Sequence, residues 1–238
     1  NANKPMRASW RMAARFANWL HNDQADAAWA FETGAYDTST FGTTQNEHGI
    51  NVLTDQQQRS EGARFFIPTA DEWKKAGFYD PNRYGEEDGG WWLYPTTSDT
   101  APYAAAPEFG GETNGGPFPP GQIRPLDVGS YPHVQSPWGL LDVSGGAHEW
   151  MEDFQNPAVP SSRLAGGTSI YFPSPTEVGD HLTVLGGLSP ADLTGIRLAS
   201  VIPSPSPIAV LAVGFSCLFR RHRHEEVPSR ERAGRARS

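Results

Sequence analysis

Glycine and proline interrupt this chain too often for long helices or broad regular sheets: 25 glycines and 21 prolines are spread over 238 residues, and both residue types break periodic backbone. The interruption is densest from Asp80 to Pro132, which contains "EEDGGWWLYPTTSDTAPYAAAP" and "GGETNGGPFPPG". Turn chemistry of this kind predicts loop with occasional anchors, here Trp91, Trp92 and Tyr94. A loop region of that length serves either as a binding surface or as irregular packing. The length allows one large domain with a real core, or at most two small ones, and eight tryptophans supply volume to fill such a core. The expectation is a loop-rich domain held by aromatic packing.

Ordered segments stand between the breaks. Ser9 is a helix N-cap candidate, and Ala13, Phe16, Ala17 and Leu20 follow at the spacing of one helical face, predicting a helix over Ser9 to His21 with Trp10 and Trp19 widening its buried stripe. The stretch after Asn22, through Gly34, Gly42 and Gly49, reads as surface loop. Phe65 to Ile67 predict a short strand. Thr69 with Glu72 then forms a capping box that opens a helix through about Gly77, with Trp73 and Ala76 facing the core. "RLAGGT" (163–168) and the strand candidate "GIRLAS" (195–200) close the ordered part. No repeat of fixed period is present, and the domain is expected to end near Ser200.

The net charge of −8 is unevenly divided. Seven arginines against three glutamates from Arg220 to Ser238 give the tail a local +4, which leaves −12 on residues 1 to 219. An acidic body of that kind argues against nucleic acid as a partner. The tail differs in kind from the body: "VIPSPSPIAVLAVGFSCLFRRHRH" places a Pro/Ser linker (201–207) before an apolar run (208–219) and a basic segment (220–238). Twelve helical residues rise about 18 Å against a hydrocarbon thickness of about 30 Å. With its flanks and arginines the run makes a membrane anchor with its basic end cytoplasmic; the alternative is a buried terminal helix. The lone Cys217 lies within this run and reads as a small hydrophobe. His222 and His224 read as part of a charged membrane flank. No export signal is visible at Asn1, and the helix that starts almost at once predicts that the true N-terminus lies upstream.

Five segments stand in the order of a known family. "PMRASWRMAARFANWLHN", "FFIPTADEWKKAGFYDP", "SPWGLLDVSGGAHEWMEDF", "RLAGGT" and "GIRLAS" resemble the conserved blocks of the formylglycine-generating, sulfatase-modifying-factor domains, across residues 5 to 200. The resemblance implies an α+β fold, a variant of the C-type-lectin-like architecture with little regular secondary structure, and opening strands before Asn1. The tail resembles a PEP-CTERM sorting signal read by an exosortase, although its motif is Pro-Ser-Pro and the residues after the arginines run long. The implied setting is an exported protein at the cell surface or periplasmic face.

Formylglycine-generating members bind copper through two cysteines late in the domain, soft thiolates that suit Cu(I). Residues 166 to 200 contain no cysteine here, so no copper site and no formylglycine synthesis are expected. Sulfoxide synthases of ergothioneine synthesis, another branch, take iron from histidines of an extra helical domain, and the histidines here show no such spacing. Nucleophile elbows and phosphate-binding glycine loops are also missing. What remains is the loop "WGLLDVSGGAHEW". In family members with a calcium site, this block implies the carbonyls of Ser144, Gly145 and Ala147 and the side chain of Glu149 as ligands, oxygen donors that suit a hard cation. The competing reading is a structural turn in which Glu149 bonds backbone amides. His148 stands where the family carries an aromatic and Gly146 where it carries Asn. The leading expectation is a non-catalytic binding or structural module for a carbohydrate or peptide ligand, with its surface in the 80–132 loops. The alternatives are a metal-dependent oxidoreductase with cysteine-free chemistry and a regulatory partner of a sulfatase.

Overall fold

Ser9 opens the first helix as expected: its hydroxyl accepts the Met12 N–H at 3.2 Å, and α1 runs Trp10–His21 to a C-cap at Asn22. The structure is a computed structural model that describes residues 3–121, 127–167, 182–185 and 194–201. The linker from residue 202, the apolar run and the basic tail lie outside the described residues. Among those described, no helix is long and apolar enough to cross a membrane.

The buried face of α1 is Trp10, Ala13, Ala14, Ala17 and Asn18, rotated from the expected stripe, and Phe16 sits at the exposed margin. The reason is polar. The Asn18 amide donates to the carbonyls of Phe31 and Tyr36, and its oxygen accepts the Tyr36 N–H at 2.7 Å. A buried amide that satisfies three backbone groups draws the following loop onto this side of the helix. Phe16, Trp19 and Phe31 stack outside it, with centroids 5.7 and 6.1 Å apart. That loop therefore carries core, including the fully buried Tyr36, and a small hairpin of β1 (Thr43–Gln45) and β2 (Asn51–Leu53).

β3 (Phe65–Phe66) leads to the Thr69 capping box, both halves of which are formed, and α2 spans Ala70–Phe78. Trp73 is buried as expected, but Gly77 and Phe78 are buried in place of Ala76. The region from Asp80 is not all loop. β4 (Tyr79–Gly85) and β5 (Asp88–Trp91) form an antiparallel hairpin, with a turn at Glu86 and Glu87 where Glu87 adopts φ +63°. The sequence reading missed it because Pro81 and three glycines hide the alternation of a strand. Tyr94 is the buried anchor of this region, whereas Trp91 is exposed.

The central sheet has four strands in the order β8-β7-β6-β9: β6 is His148–Phe154, β7 Arg163–Gly166, β8 Leu182–Leu185 and β9 Thr194–Gly195. β6 pairs antiparallel with β7 and parallel with β9. A last short strand, β10 (Ala199–Ser200), pairs with β3. The predicted strand over 195–200 is thus split, and Ile196 to Leu198 join two different sheets.

β6 is covered on both faces, and its period-2 alternation divides the core. Trp150 packs into a cluster with Trp10, Tyr36, Phe66 and Ile67. Met151 packs into another with Trp73, Phe78 and Val143. The Trp10 indole donates to the Met151 carbonyl at 3.0 Å and the Trp150 indole to the Ala8 carbonyl at 2.7 Å, which stitches α1 to β6. Arg163 is fully buried, its guanidinium 3.6 Å from the rings of both Trp10 and Phe154 and donating to the carbonyls of Glu152 and Gln56. Burial pulls this guanidinium down to about 10.

Candidate functional site

The loop before β6 takes its shape from backbone that few side chains permit. Gly145 has φ +96°, and a Cβ there would meet Asn114 Oδ1 and Thr113 Oγ1 at 2.5 Å. Glycine is the residue for that position, because the segment 113–115 grips the loop. The Thr113 hydroxyl donates to the Ser144 carbonyl at 2.8 Å, and Asn114 Oδ1 accepts the Gly146 N–H. Asp142 also sits at positive φ, +58°, and its Oδ2 accepts the Gly129 N–H at 2.6 Å. His148 then enters the sheet with its Nδ1 2.7 Å from the Gly167 carbonyl. Burial lowers the basicity of this imidazole.

Glu149 lies on the Met151 face of β6, and its carboxylate is buried. It accepts the Trp73 indole N–H at 2.7 Å and a two-pronged contact from Arg197, Nε at 2.8 Å and Nη2 at 2.7 Å. Arg197 Nη2 also donates to the Leu141 carbonyl at 2.8 Å, and the Glu149 charge raises the Arg197 pKa further. Glu149 therefore bonds side chains from α2 and from the β9–β10 connection, where the turn reading had given it backbone amides. Neither Trp73 nor Arg197 was singled out in the sequence for this role. A signal was present: Arg197 stands between the apolar Ile196 and Leu198, and an arginine in such a setting calls for a carboxylate partner.

The four residues of the calcium reading are neighbours, but they do not form an ion shell as placed. Three N–H donors, two of them from the cationic Arg197 guanidinium, already occupy the Glu149 oxygens, and the Ser144 carbonyl serves Thr113. A cation at Glu149 would have to stand beside the Arg197 guanidinium, so this carboxylate does not fit calcium without first releasing it. Among the described residues, no group of three or more His, Cys, Asp or Glu side chains is placed to hold a metal.

Beside the Glu149–Arg197 pair lies a cavity of about 420 Å³ that reaches Gly145, Gly146, Ala147 and Asp142 on one side and Met6, Val128 and Ile196 on the other. A wider hollow of about 710 Å³ runs past Arg59, Glu72 and Glu152, where Arg59 bridges the two carboxylates. Burial raises the Glu152 pKa, and Tyr36 and the Arg59 N–H both donate to it. That polar set is bonded within the core.

At the surface, aromatic side chains collect around Tyr79. The Trp91 ring meets the Tyr79 ring edge-on at 5.3 Å, and the Trp138 indole donates to the Tyr79 carbonyl at 2.7 Å. Arg83 lies over Trp92 at 4.3 Å and over Tyr84 at 5.0 Å. Trp91, Trp138 and Tyr84 remain 45, 53 and 65% exposed.

No protein-family model matches the chain, and no curated protein does. Among solved structures, one titled "Crystal Structure of CarF" aligns with a TM-score of 0.52 at 19% identity, over 82% of this chain and 66% of that one. Treponema denticola variable protein 1 aligns with a TM-score of 0.49 at 16% identity, over 82% of this chain and 69% of the other. This chain spans just under two thirds of the CarF chain. The likeness to CarF defines a shared mixed α and β fold.

Proposed function

We propose that this chain is a domain of the sulfatase-modifying-factor kind that lacks the oxidase chemistry and acts as a binding module, with carbohydrate as its ligand on the β4–β5 hairpin. The observation that carries the reading is the exposed aromatic face around Tyr79. Exposing Trp91 and Trp138 together beside Tyr79 opposes the hydrophobic effect unless a partner covers them. Trp91 and Trp138 are both braced against Tyr79, so they present flat faces in fixed orientations. Sugar rings offer apolar C–H faces for such surfaces. The long Gly/Pro-rich region singled out in the sequence thereby supplies the surface, with Trp138 added from outside it.

Two structural features support the family part of the proposal. The blocks that resemble the family meet in one network: Trp73, Glu149 and Arg197 come from three of them, and Trp10, Trp150 and Arg163 tie in the rest. Gly146 has φ +75°, a Cβ there would make only an ordinary contact with Pro5 Cγ at 4.0 Å, and the asparagine that the family carries there is among the few non-glycine residues that tolerate this conformation. Residues 166 to 200 hold no thiol, so a two-thiolate copper site cannot form among them. On this reading the tail is an export and anchoring signal of the PEP-CTERM kind, processed by an exosortase-type partner.

A glycan array probed with the full chain tests the ligand. Binding should fall at least about tenfold in a Trp91→Ala/Trp138→Ala variant, given roughly 0.5 to 1.5 kcal/mol per ring contact beyond the area lost. A silent array, or binding equally strong in the variant, overturns the carbohydrate assignment; capture of peptides alone would transfer the surface to that class. Copper-loaded protein should leave a sulfatase-type cysteine peptide unoxidised, and formylglycine in the product would refute the non-catalytic part.

A further inference from the structure

The cavity beside Glu149 carries a second, independent site. From its shape and charge we infer that it binds a small organic cation, a primary ammonium joined to a short apolar chain, with Asp142 as the anchoring carboxylate. The inference does not depend on the family reading or on the hairpin surface.

Four charged side chains line this cavity, and three are carboxylates: Asp127, Asp142 and Glu149, against Arg197. Glu149 and Arg197 neutralise one another through two short contacts. Asp127, at the exposed rim, pairs with Lys4 at 2.8 Å. Asp142 is the carboxylate of this lining without a direct ion pair among the described residues, although the Arg197 charge reaches it as well as Glu149. Its Oδ2 is held by the Gly129 N–H, while its Oδ1 takes no donor among the described residues. The backbone at Asp142 is held at φ +58°, a left-handed conformation that aspartate adopts more readily than most residues. Burial disfavours the ionised form, so a cation that reaches it gains the interaction that solvent withholds.

The remaining walls choose between kinds of cation. Met6, Val128, Leu140, Leu141 and Ile196 make much of the lining apolar. Calcium needs six to eight oxygens around it, and this lining offers it carbon on most sides. An alkylammonium fits both halves: its charged end takes Asp142 Oδ1 and its chain lies along the apolar wall. The volume of about 420 Å³ falls within the range of small-molecule pockets.

Calorimetric titration of the full chain with hexylammonium, hexanoate and calcium chloride, each up to about 10 mM to capture weak binding, tests the assignment. Hexylammonium should bind, hexanoate should not, and an ethylammonium control should bind more weakly for want of a chain. Asp142→Asn should weaken hexylammonium by about tenfold to a hundredfold, the loss expected for a charge-assisted hydrogen bond. Asparagine tolerates the positive φ at this position, and an unchanged far-ultraviolet circular dichroism spectrum checks the fold. Tighter binding of hexanoate would assign the cavity to Arg197 and overturn the proposal. So would calcium binding without the amine, or binding of neither. If the variant misfolds, the comparison of amine with carboxylate on the unmodified chain still decides.

Discussion

Replacing Arg197 with methionine puts the central ion pair to the test. The change removes two hydrogen bonds to Glu149 and one to the Leu141 carbonyl. It leaves a buried carboxylate with the Trp73 indole as its one remaining donor among the described residues, while methionine keeps much of the side-chain volume. Stranding a buried charge costs about 3 to 5 kcal/mol. The Arg197 side chain is 25% exposed and that of Glu149 10%, so water entering through the cavity recovers part of this and places the loss near 3 kcal/mol, at the lower end. For a unit the size of Asn1–Val201 that corresponds to a fall in Tm of roughly 6 to 12 °C. Urea unfolding followed by tryptophan fluorescence reads the free energy directly. The double variant Glu149→Gln/Arg197→Met removes both charges and should recover at least about 1 kcal/mol relative to the sum of the single changes. A loss below about 1 kcal/mol for Arg197→Met would put the pair in the class of surface salt bridges, and strict additivity would show that Glu149 and Arg197 do not act as a unit. Either result would refute the argument that this pair organises the site.

Gly145→Ala should destabilise by at least about 1 kcal/mol, because an added Cβ meets positive φ and two side-chain oxygens together; Gly146→Asn, whose Cβ would make only an ordinary contact with Pro5, should cost much less by the same unfolding measurement. His148 is less basic when folded, through burial, than the usual value of 6.5. The unfolded chain therefore binds the proton first as pH falls, and stability present above 6.5 is lost below it. His148→Gln, which can still donate to the Gly167 carbonyl, should show a weaker acid-side loss in Tm between pH 7 and pH 5 on the same principle; an identical slope in both proteins would exclude His148 as its source.

Local features were legible wherever their cause is local. The Ser9 and Thr69 caps depend on side chains within three residues of the backbone they satisfy, and both were read at their positions. The glycine pair before His148 was recognisable as a tight loop. The β4–β5 hairpin was not, because Pro81 and the glycines Gly85, Gly89 and Gly90 mask alternation in strands that depend on each other for hydrogen bonds. The buried face of α1 was misplaced for a related reason: Asn18 is polar, so periodicity assigned it to solvent, and only the backbone of Phe31 and Tyr36 explains its burial. The role of Glu149 followed the same pattern. Its carboxylate was marked, but its partners lie 76 and 48 residues away.

By itself, the sequence determined that the domain would be short-elemented and aromatic-packed, that its body would be acidic, and that no cysteine pair could hold copper between residues 166 and 200. Those conclusions follow from composition and from chemistry that particular atoms must supply. Tertiary structure decided which charges are spent and which are left. It turned Glu149 towards Arg197, left one oxygen of Asp142 without a donor among the described residues in an apolar-walled cavity, and braced Trp138 against a hairpin 59 residues earlier. Such outcomes depend on distances between segments far apart in the chain, and no local pattern encodes a distance.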